Sequence, residues 1–271
     1  MSDSTLSSRT VLVTGATSGI GFETARQLAG RGATVLLHGR TPEEARAAAD
    51  RLTAEGTDAA LLRPVAADFC HLAEVARLAE SVLRDHPSLD VLVNNAGMAA
   101  PERHTLTGDG VEIAFQVNFL AHYLLTRALE PALTAPGRLG RVVNVSSSLH
   151  RTATIQWSDP HRARRYSRLA AYAQSQLALT VFAADPRVTA VSVHPGVCDT
   201  ALLPLYAHEG GAPADGAAHV VRLCDPATEI VNGAYFDRAV RAAPAPAATE
   251  VRTVKRLTKL ADQLVGAHAT A

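Results

Sequence analysis

The 271-residue chain has no net charge, because 26 Lys and Arg are set against 26 Asp and Glu. That balance removes any whole-molecule electrostatic argument for nucleic acid or for an anionic membrane as a partner. Cysteine is scarce. Cys70, Cys198 and Cys224 show no metal-ligand spacing, and an odd count does not suit a disulfide framework. They read as inert thiols of a reducing compartment, and no metal site is expected. No apolar run approaches the roughly 20 residues of a membrane span. Met1 to Ser8 lacks the charged and apolar regions of a signal peptide. The expectation is a soluble, cytoplasmic protein with no membrane or nucleic-acid partner. No internal repeat is visible, and no linker before residue 240.

Hydrophobic residues make up 47% and charged residues 19%, as in a folded globular protein. Apolar runs of strand length occur at Val11–Val13, Thr34–Leu37, Leu61–Val65, Val91–Val93, Val142–Val145 and Val188–Val193. Segments of helical period lie between them, at Ile20–Ala29, Pro42–Ala54, Leu72–Leu83, Val111–Leu133 and Ala170–Ala183. Repeated alternation of strand and helix predicts an α/β chain. The fold expected is a three-layer Rossmann fold in one domain, residues 1–271: a doubly wound parallel sheet of about seven strands with helices on both faces. Val240–Ala248, rich in Ala and Pro, reads as a mobile connection. Residues 250–266 read as a helical extension, and residues 202–216, with Pro204, Gly210, Gly211 and Pro213, as a lid.

After the first strand comes Thr14-Gly-Ala-Thr-Ser-Gly-Ile-Gly21. Gly15, Gly19 and Gly21 let the backbone turn tightly and approach a pyrophosphate, with Thr17, Ser18 and Ile20 between them. The helix that follows offers free N–H groups and the positive end of its dipole. After the second strand, where an acid would accept from an NAD ribose, stands His38-Gly39-Arg40. Gly39 leaves room and Arg40 offers forked donors for a 2′-phosphate, with the Thr41 hydroxyl beside it, so the cofactor expected is NADP(H). The competing reading of Arg40 is a solvated loop cation.

Thr14-Gly-xxx-Gly-x-Gly21, Asn94-Asn-Ala-Gly97, Ser147, Tyr172 and His194-Pro-Gly196 stand in the order found in the short-chain dehydrogenase/reductase family. The chain resembles that family from about Arg9 to Val265. Arg141-Val-Val-Asn-Val-Ser-Ser147, Asn118-Phe-Leu-Ala-His, Tyr172-Ala-Gln-Ser and Asn232-Gly-Ala-Tyr-Phe-Asp237 look most like its retinol-dehydrogenase-like branch. The resemblance implies an oxidoreductase acting on an alcohol/carbonyl pair. It implies Asp68 and Phe69 at the adenine, Asn95, Ala96 and Gly97 at the adjoining ribose, and Pro195, Gly196, Val197 and Thr200 at the nicotinamide. It makes Tyr172 the acid/base and Ser147 the group that binds the substrate oxygen, with Ser146 and Ser148 as neighbouring alternatives. Asn118 would hold a water in the proton relay, or mark a local kink.

The departure falls four residues after Tyr172, one helical turn on and on the same side. There the family has a lysine whose charge favours tyrosinate and which bonds the nicotinamide ribose. This chain has Gln176. An amide can bond ribose and hold a water, but it supplies no charge. Reduction, with neutral Tyr172 donating, should suffer less than oxidation. Two rivals stay open: related non-redox chemistry (elimination, isomerisation or cyclisation) in the same pocket, and a non-catalytic NADP(H)-binding protein. The substrate is a small molecule, and Leu202, Leu203, Leu205 and Tyr206 suggest an apolar one. Helices over Val111–Leu133 and Ala170–Ala183 offer a homodimer interface by resemblance. His150, Arg151, His161, Arg162, Arg164, Arg165 and Arg168 form either a solvated insertion or a docking patch for an acidic substrate or carrier protein.

Overall fold

Val11 and Val13 point to one side of a sheet and Leu12 to the other, and all three are completely buried. Such apolar continuity marks strands covered on both faces. A computed structural model, in which residues 6–137, 140–185, 187–205 and 209–266 are described, shows why. Strands β1 (Thr10–Val13), β2 (Thr34–Gly39), β3 (Leu62–Ala66), β4 (Val91–Asn94), β5 (Arg141–Val145), β6 (Thr189–His194), β7 (Tyr235–Asp237) and β8 (Val240–Ala242) form one sheet in the order 3-2-1-4-5-6-7-8. Every pairing is parallel except β7 with β8. Val11, Val35, Val93 and Val191 meet α1 (Gly19–Ala29), α2 (Pro42–Ala54) and α8 (Pro213–Cys224) on one face. Leu12, Leu36, Leu92 and Val142 meet α3 (Leu72–Asp85) and the middle of the chain on the other. Truncating one of these leucines to Ala costs about 2–5 kcal/mol.

Strand order reverses between β1 and β4, which opens a crevice at the carboxyl edge of the sheet. Gly15, Arg40, Asp68, Asn95, Ser146 and Pro195 each follow a different strand there. A buried amide pair fixes the edge: Asn94 Nδ2 donates to Asn144 Oδ1 at 2.9 Å, in register across β4 and β5. Pro64 lies on β3, an edge strand, where a missing N–H is tolerated.

Two expectations are corrected. Val111–Leu133 is not one helix but α4 (Ile113–Phe115), a π-helical turn (Gln116–Leu120), α5 (Ala121–Ala128) and α6 (Glu130–Leu133). Glu112 delays the start by accepting from Ala114 N and Phe115 N, and Pro131, with no N–H, separates α5 from α6. Val240–Ala248 is not a loose connection either. Val240–Ala242 adds the eighth strand, antiparallel to β7, and Ala245 and Ala248 are buried beside the last helix.

The sheet's second face continues into α7 (Arg168–Phe182) and α9 (Val251–Gly266). Leu257 and Ala261 of α9 pack with Tyr123, Val181 and Phe182. Tyr123 Oη donates to Asp262 Oδ1 at 2.5 Å, and Thr258 Oγ1 to Asp185 Oδ2 at 3.4 Å. The face of α5 and α7 that the resemblance offered to a second copy is thus covered by the chain itself. No helix among the described residues is long and apolar enough to cross a membrane.

Candidate active site

A cleft of about 740 Å³ runs along the carboxyl edge, from Arg40 and Asp68 at one end to Tyr172, Gln176 and Pro195 at the other. At its centre is the glycine turn. Gly15 has φ +62°, and a Cβ there would lie 2.8 Å from Ala96 Cα. A Cβ on Gly21 would lie 2.2 Å from Gly15 O, so Gly21 serves helix packing and does not line the cleft. Helix α1 starts without a side-chain cap and with no acid in its first turn. Its leading N–H groups and dipole are therefore left to an anion. Thr200 reaches over Gly19 from the far bank.

Thr14 and Asn95 join β1 to β4 under this turn. Thr14 Oγ1 accepts from Asn95 N at 2.8 Å and Ala96 N at 2.9 Å, and Asn95 Nδ2 donates to Thr14 O at 2.8 Å. Two imidazoles flank the joint. His38 Nδ1 accepts from Gly15 N at 3.0 Å, which leaves Nε2–H to donate to Ala67 O at 3.0 Å. His122 Nδ1 faces Asn118 O at 3.1 Å and must donate, so its Nε2 accepts from the Thr14 hydroxyl at 3.0 Å. Phe69 lies between the rings, 4.6 Å from His38 and 5.3 Å from His122. Burial lowers both imidazoles to about 4, so both are neutral in this arrangement. The sequence reading treated His38 only as a missing acid and passed over His122. The signal available was an imidazole in an otherwise apolar strand end and another in a buried helix turn.

At one end of the cleft Arg40 is largely exposed and pairs with Glu44 at 2.7 Å. An exposed pair of this kind is weak, so Arg40 can exchange Glu44 for a stronger anion. Thr41 does not line the cleft; its hydroxyl caps α2 by accepting from Glu44 N at 3.3 Å. Gly39 has a different task from the one expected of it. A Cβ there would lie 2.8 Å from Ala45 N and 3.0 Å from Thr17 Cγ2, so α2 already fills the room. Asp68 lines the cleft while Oδ1 accepts from Cys70 N at 2.8 Å. Cys70, also on the wall, is pushed up to about 11 by burial and by Asp68.

At the other end Tyr172 and Gln176 lie one turn apart on α7, buried, and both face the cleft. The Gln176 carbonyl accepts from Thr180 Oγ1 at 2.8 Å, while its side-chain amide takes no hydrogen bond among the described residues. Ser146 borders the cleft, but its hydroxyl turns back to Thr180 Oγ1 at 2.7 Å and Gln176 O at 3.3 Å. Ser147, next to the cleft-lining Ser146, is buried, and its Oγ accepts from Leu149 N at 3.0 Å. His150 holds that turn: Nδ1–H donates to Ser147 O at 2.6 Å and Nε2 accepts from Ala245 N at 3.1 Å. The Asn118 amide is spent on Met98, in both directions, and on Ser175 Oγ at 3.0 Å. Asn118 therefore pins the β4 loop to α7 from outside the cleft lining. His194 borders the cleft with a buried Nδ1 that takes no hydrogen bond among the described residues, and burial lowers it to about 4.

Tyr172 packs with Ala100, Ala114 and Ala171, and Leu149, Tyr166, Leu202 and Leu205 lie against this cluster, of which Leu202 also lines the cleft. Val197 is not on the wall. Its carbonyl accepts from Gly211 N at 2.9 Å and anchors the base of the lid. Tyr206 lies outside the described residues. The insertion before α7 is a stapled wall. Tyr166 Oη donates to Pro101 O at 2.7 Å, Arg168 meets Ala100 O and Glu102, and His104 meets His161 O at 2.8 Å. Arg162 donates to Gln174 Oε1 and Thr154 O, and Arg151 faces Asp237 at 4.0 Å. Most of the cations expected in a surface patch are thus engaged internally. Among the described residues no cluster of three His, Cys, Asp or Glu could hold a metal.

An uncapped helix end behind a glycine turn, with a tyrosine on the far bank of a cleft at the carboxyl edge of a doubly wound sheet, is the arrangement of a Rossmann-like fold. The short chain dehydrogenase family matches residues 9–208. The chain belongs to that family and is an oxidoreductase of it. It is 37% identical to the polyprenol dehydrogenase of Mus musculus, over 96% of this chain and 84% of that protein. It is 33% identical to human retinol dehydrogenase 13, over 99% of this chain and 88% of that protein. Among solved structures, an uncharacterized protein from Mycobacterium paratuberculosis is 32% identical with a TM-score of 0.77, over 96% of this chain and 94% of that one.

Proposed function

We propose that the chain is an NADP(H)-dependent reductase of an apolar ketone or aldehyde. One observation carries this reading: Tyr172 borders the cleft of about 740 Å³ and packs among apolar side chains, with a neutral amide one turn away. The turn Gly15–Gly19 and the uncapped start of α1 fit a pyrophosphate. Arg40, the one Lys or Arg among the cleft residues, fits a 2′-phosphate in place of Glu44. The bound cofactor supplies the hydride.

The residues supply the rest. The Ser147 hydroxyl positions and polarises the substrate oxygen, and neutral Tyr172 donates the proton to it. Gln176 gives its unused amide to the ribose. Asn118 holds the β4 loop against α7, and the apolar wall of Leu149, Leu202 and Leu205 excludes water from the transfer. The only lysines, Lys255 and Lys259, lie on α9, outside the cleft. Reduction needs no phenolate, so it is the direction this site favours. The same missing cation supports the second reading, a pocket turned to non-redox chemistry.

The test is purified protein with NADPH and a panel of apolar ketones and aldehydes, followed by NADPH absorbance. Carbonyl-dependent oxidation is expected. Tight NADPH binding with no turnover on any member would favour the second reading.

A further inference from the structure

Most arginines on the other exposed helices meet a partner within the fold: on α2 Arg51 stacks on Phe22, and on α8 Arg222 donates to Ala239 O. Arg26 meets Glu23 at 2.6 Å on α1, and on α2 Arg46 meets Glu43 at 3.9 Å. Helix α9 departs from that habit. Arg252, Lys255, Arg256 and Lys259 are all exposed, and none has a carboxylate partner among the described residues. At 3.6 residues per turn they span an arc of roughly 100°. That arc lies opposite Leu257 and Ala261, the residues that dock the helix, so it faces outward, with Arg256 at its edge beside Trp157. The helix's two nearest acids are used elsewhere: Asp262 accepts from Tyr123, and Glu250 accepts from Thr253.

The spacing is unfavourable for the chain alone. Positions 252 and 256, and 255 and 259, are like-charge pairs at i,i+4, and each such pair weakens a helix. Both lysines of the entire sequence stand in this stripe, in a chain whose formal charge is zero. A partner with regularly spaced negative charge would relieve the repulsion. We infer that the outer face of α9 docks on an anionic lipid surface.

Lipid fits better than nucleic acid because of what adjoins the stripe. The Arg256 guanidinium lies 4.4 Å over the Trp157 ring, which combines an apolar body with a polar edge suited to a membrane interface. Val251, at the start of the helix, is 67% exposed. A surface contact of this kind needs no spanning segment.

The experiment is co-sedimentation of the whole protein with vesicles of phosphatidylcholine alone, or with about a third phosphatidylglycerol. Binding is expected only to the anionic vesicles, with loss as salt rises toward about 0.5 M. Each cation near such a surface strengthens binding about fivefold, the equivalent of about 1 kcal/mol. Arg252→Gln, Lys255→Gln, Arg256→Gln and Lys259→Gln together should therefore reduce binding more than tenfold. A second variant, Arg252→Glu with Lys255→Glu, creates Glu–Arg and Glu–Lys pairs at i,i+4 that support the helix. It should fold at least as stably and bind no vesicles. Wild type that ignores anionic vesicles at low salt, or variants that bind them as well as wild type, would overturn the inference. So would retention on heparin or duplex DNA without vesicle binding. The readout is binding, so it stands or falls separately from the proposed turnover.

Discussion

Gln176→Lys puts an ammonium one helical turn from Tyr172. Side chains at i and i+4 have Cβ atoms about 5–6 Å apart. A charge about 6 Å from the phenolate, at an effective dielectric of about 20, favours it by about 2.8 kcal/mol. Gln176 is only 4% exposed, so the ammonium loses solvation and part of that gain is offset. A net effect of about 1.4 kcal/mol corresponds to roughly tenfold. The substitution removes no hydrogen bond made by the amide among the described residues, so the fold should tolerate it. Alcohol oxidation needs Tyr172 as a base and should rise about tenfold near neutral pH. Carbonyl reduction uses the neutral phenol and should change much less. The assay is initial rates in both directions, across neutral and alkaline pH, for wild type and variant. If the variant loses rate in both directions, the amide is a tuned part of the relay and the electrostatic reasoning is wrong.

Arg40→Ala should weaken NADP(H) by about 1.5–3 kcal/mol, roughly 10- to 150-fold, and leave NAD(H) nearly unchanged; titration calorimetry with both dinucleotides decides, and equal wild-type affinities would contradict the 2′-phosphate assignment. Folding lowers His38, His122 and His194 from 6.5 to about 4, so between those values the unfolded chain binds more protons and stability falls as pH drops. Going from neutral pH to pH 5 should cost about 2 kcal/mol per histidine. Urea titrations should show this loss, and His38→Phe should flatten the dependence; an unchanged slope would remove His38 from the account. Because α9 covers α5 and α7, the chain should sediment as a monomer near 28.5 kDa, and a dimer that persists on dilution would show that the covering helix leaves the face accessible.

Much of this was visible in the residues. The alternation of β-length and helix-length apolar segments led to the right sheet, because strands buried on both faces cannot avoid an apolar signature. The glycine turn was legible since its positive φ and its approach to Ala96 admit little else. Three things were not. Short terminal strands such as Val240–Ala242 carry no pattern of their own, and Ala and Pro in sequence resemble a loop until a neighbouring edge pairs with them. The breaks in the Val111–Leu133 segment depend on a capping carboxylate and on buried contacts of Asn118, which period alone does not report. The roles of His38, His122 and His150 arise between segments distant in sequence: His38 and His150 complete backbone groups of another loop, and His122 takes the Thr14 hydroxyl. The basic insertion misled for the same reason, since its partners at Pro101, Ala100 and Glu102 come from a loop more than 60 residues away.

Under the proposed function Tyr172 delivers the proton in a reduction driven by NADPH. The most direct test of this is the rate of carbonyl-dependent NADPH oxidation by wild type and by Tyr172→Phe, with NADPH affinity measured in parallel. Removing the phenolic hydroxyl should leave affinity within a few-fold and abolish nearly all turnover, a loss of about 10²–10⁴-fold for a positioned acid. Turnover that survives in Tyr172→Phe, with affinity intact, would contradict the account.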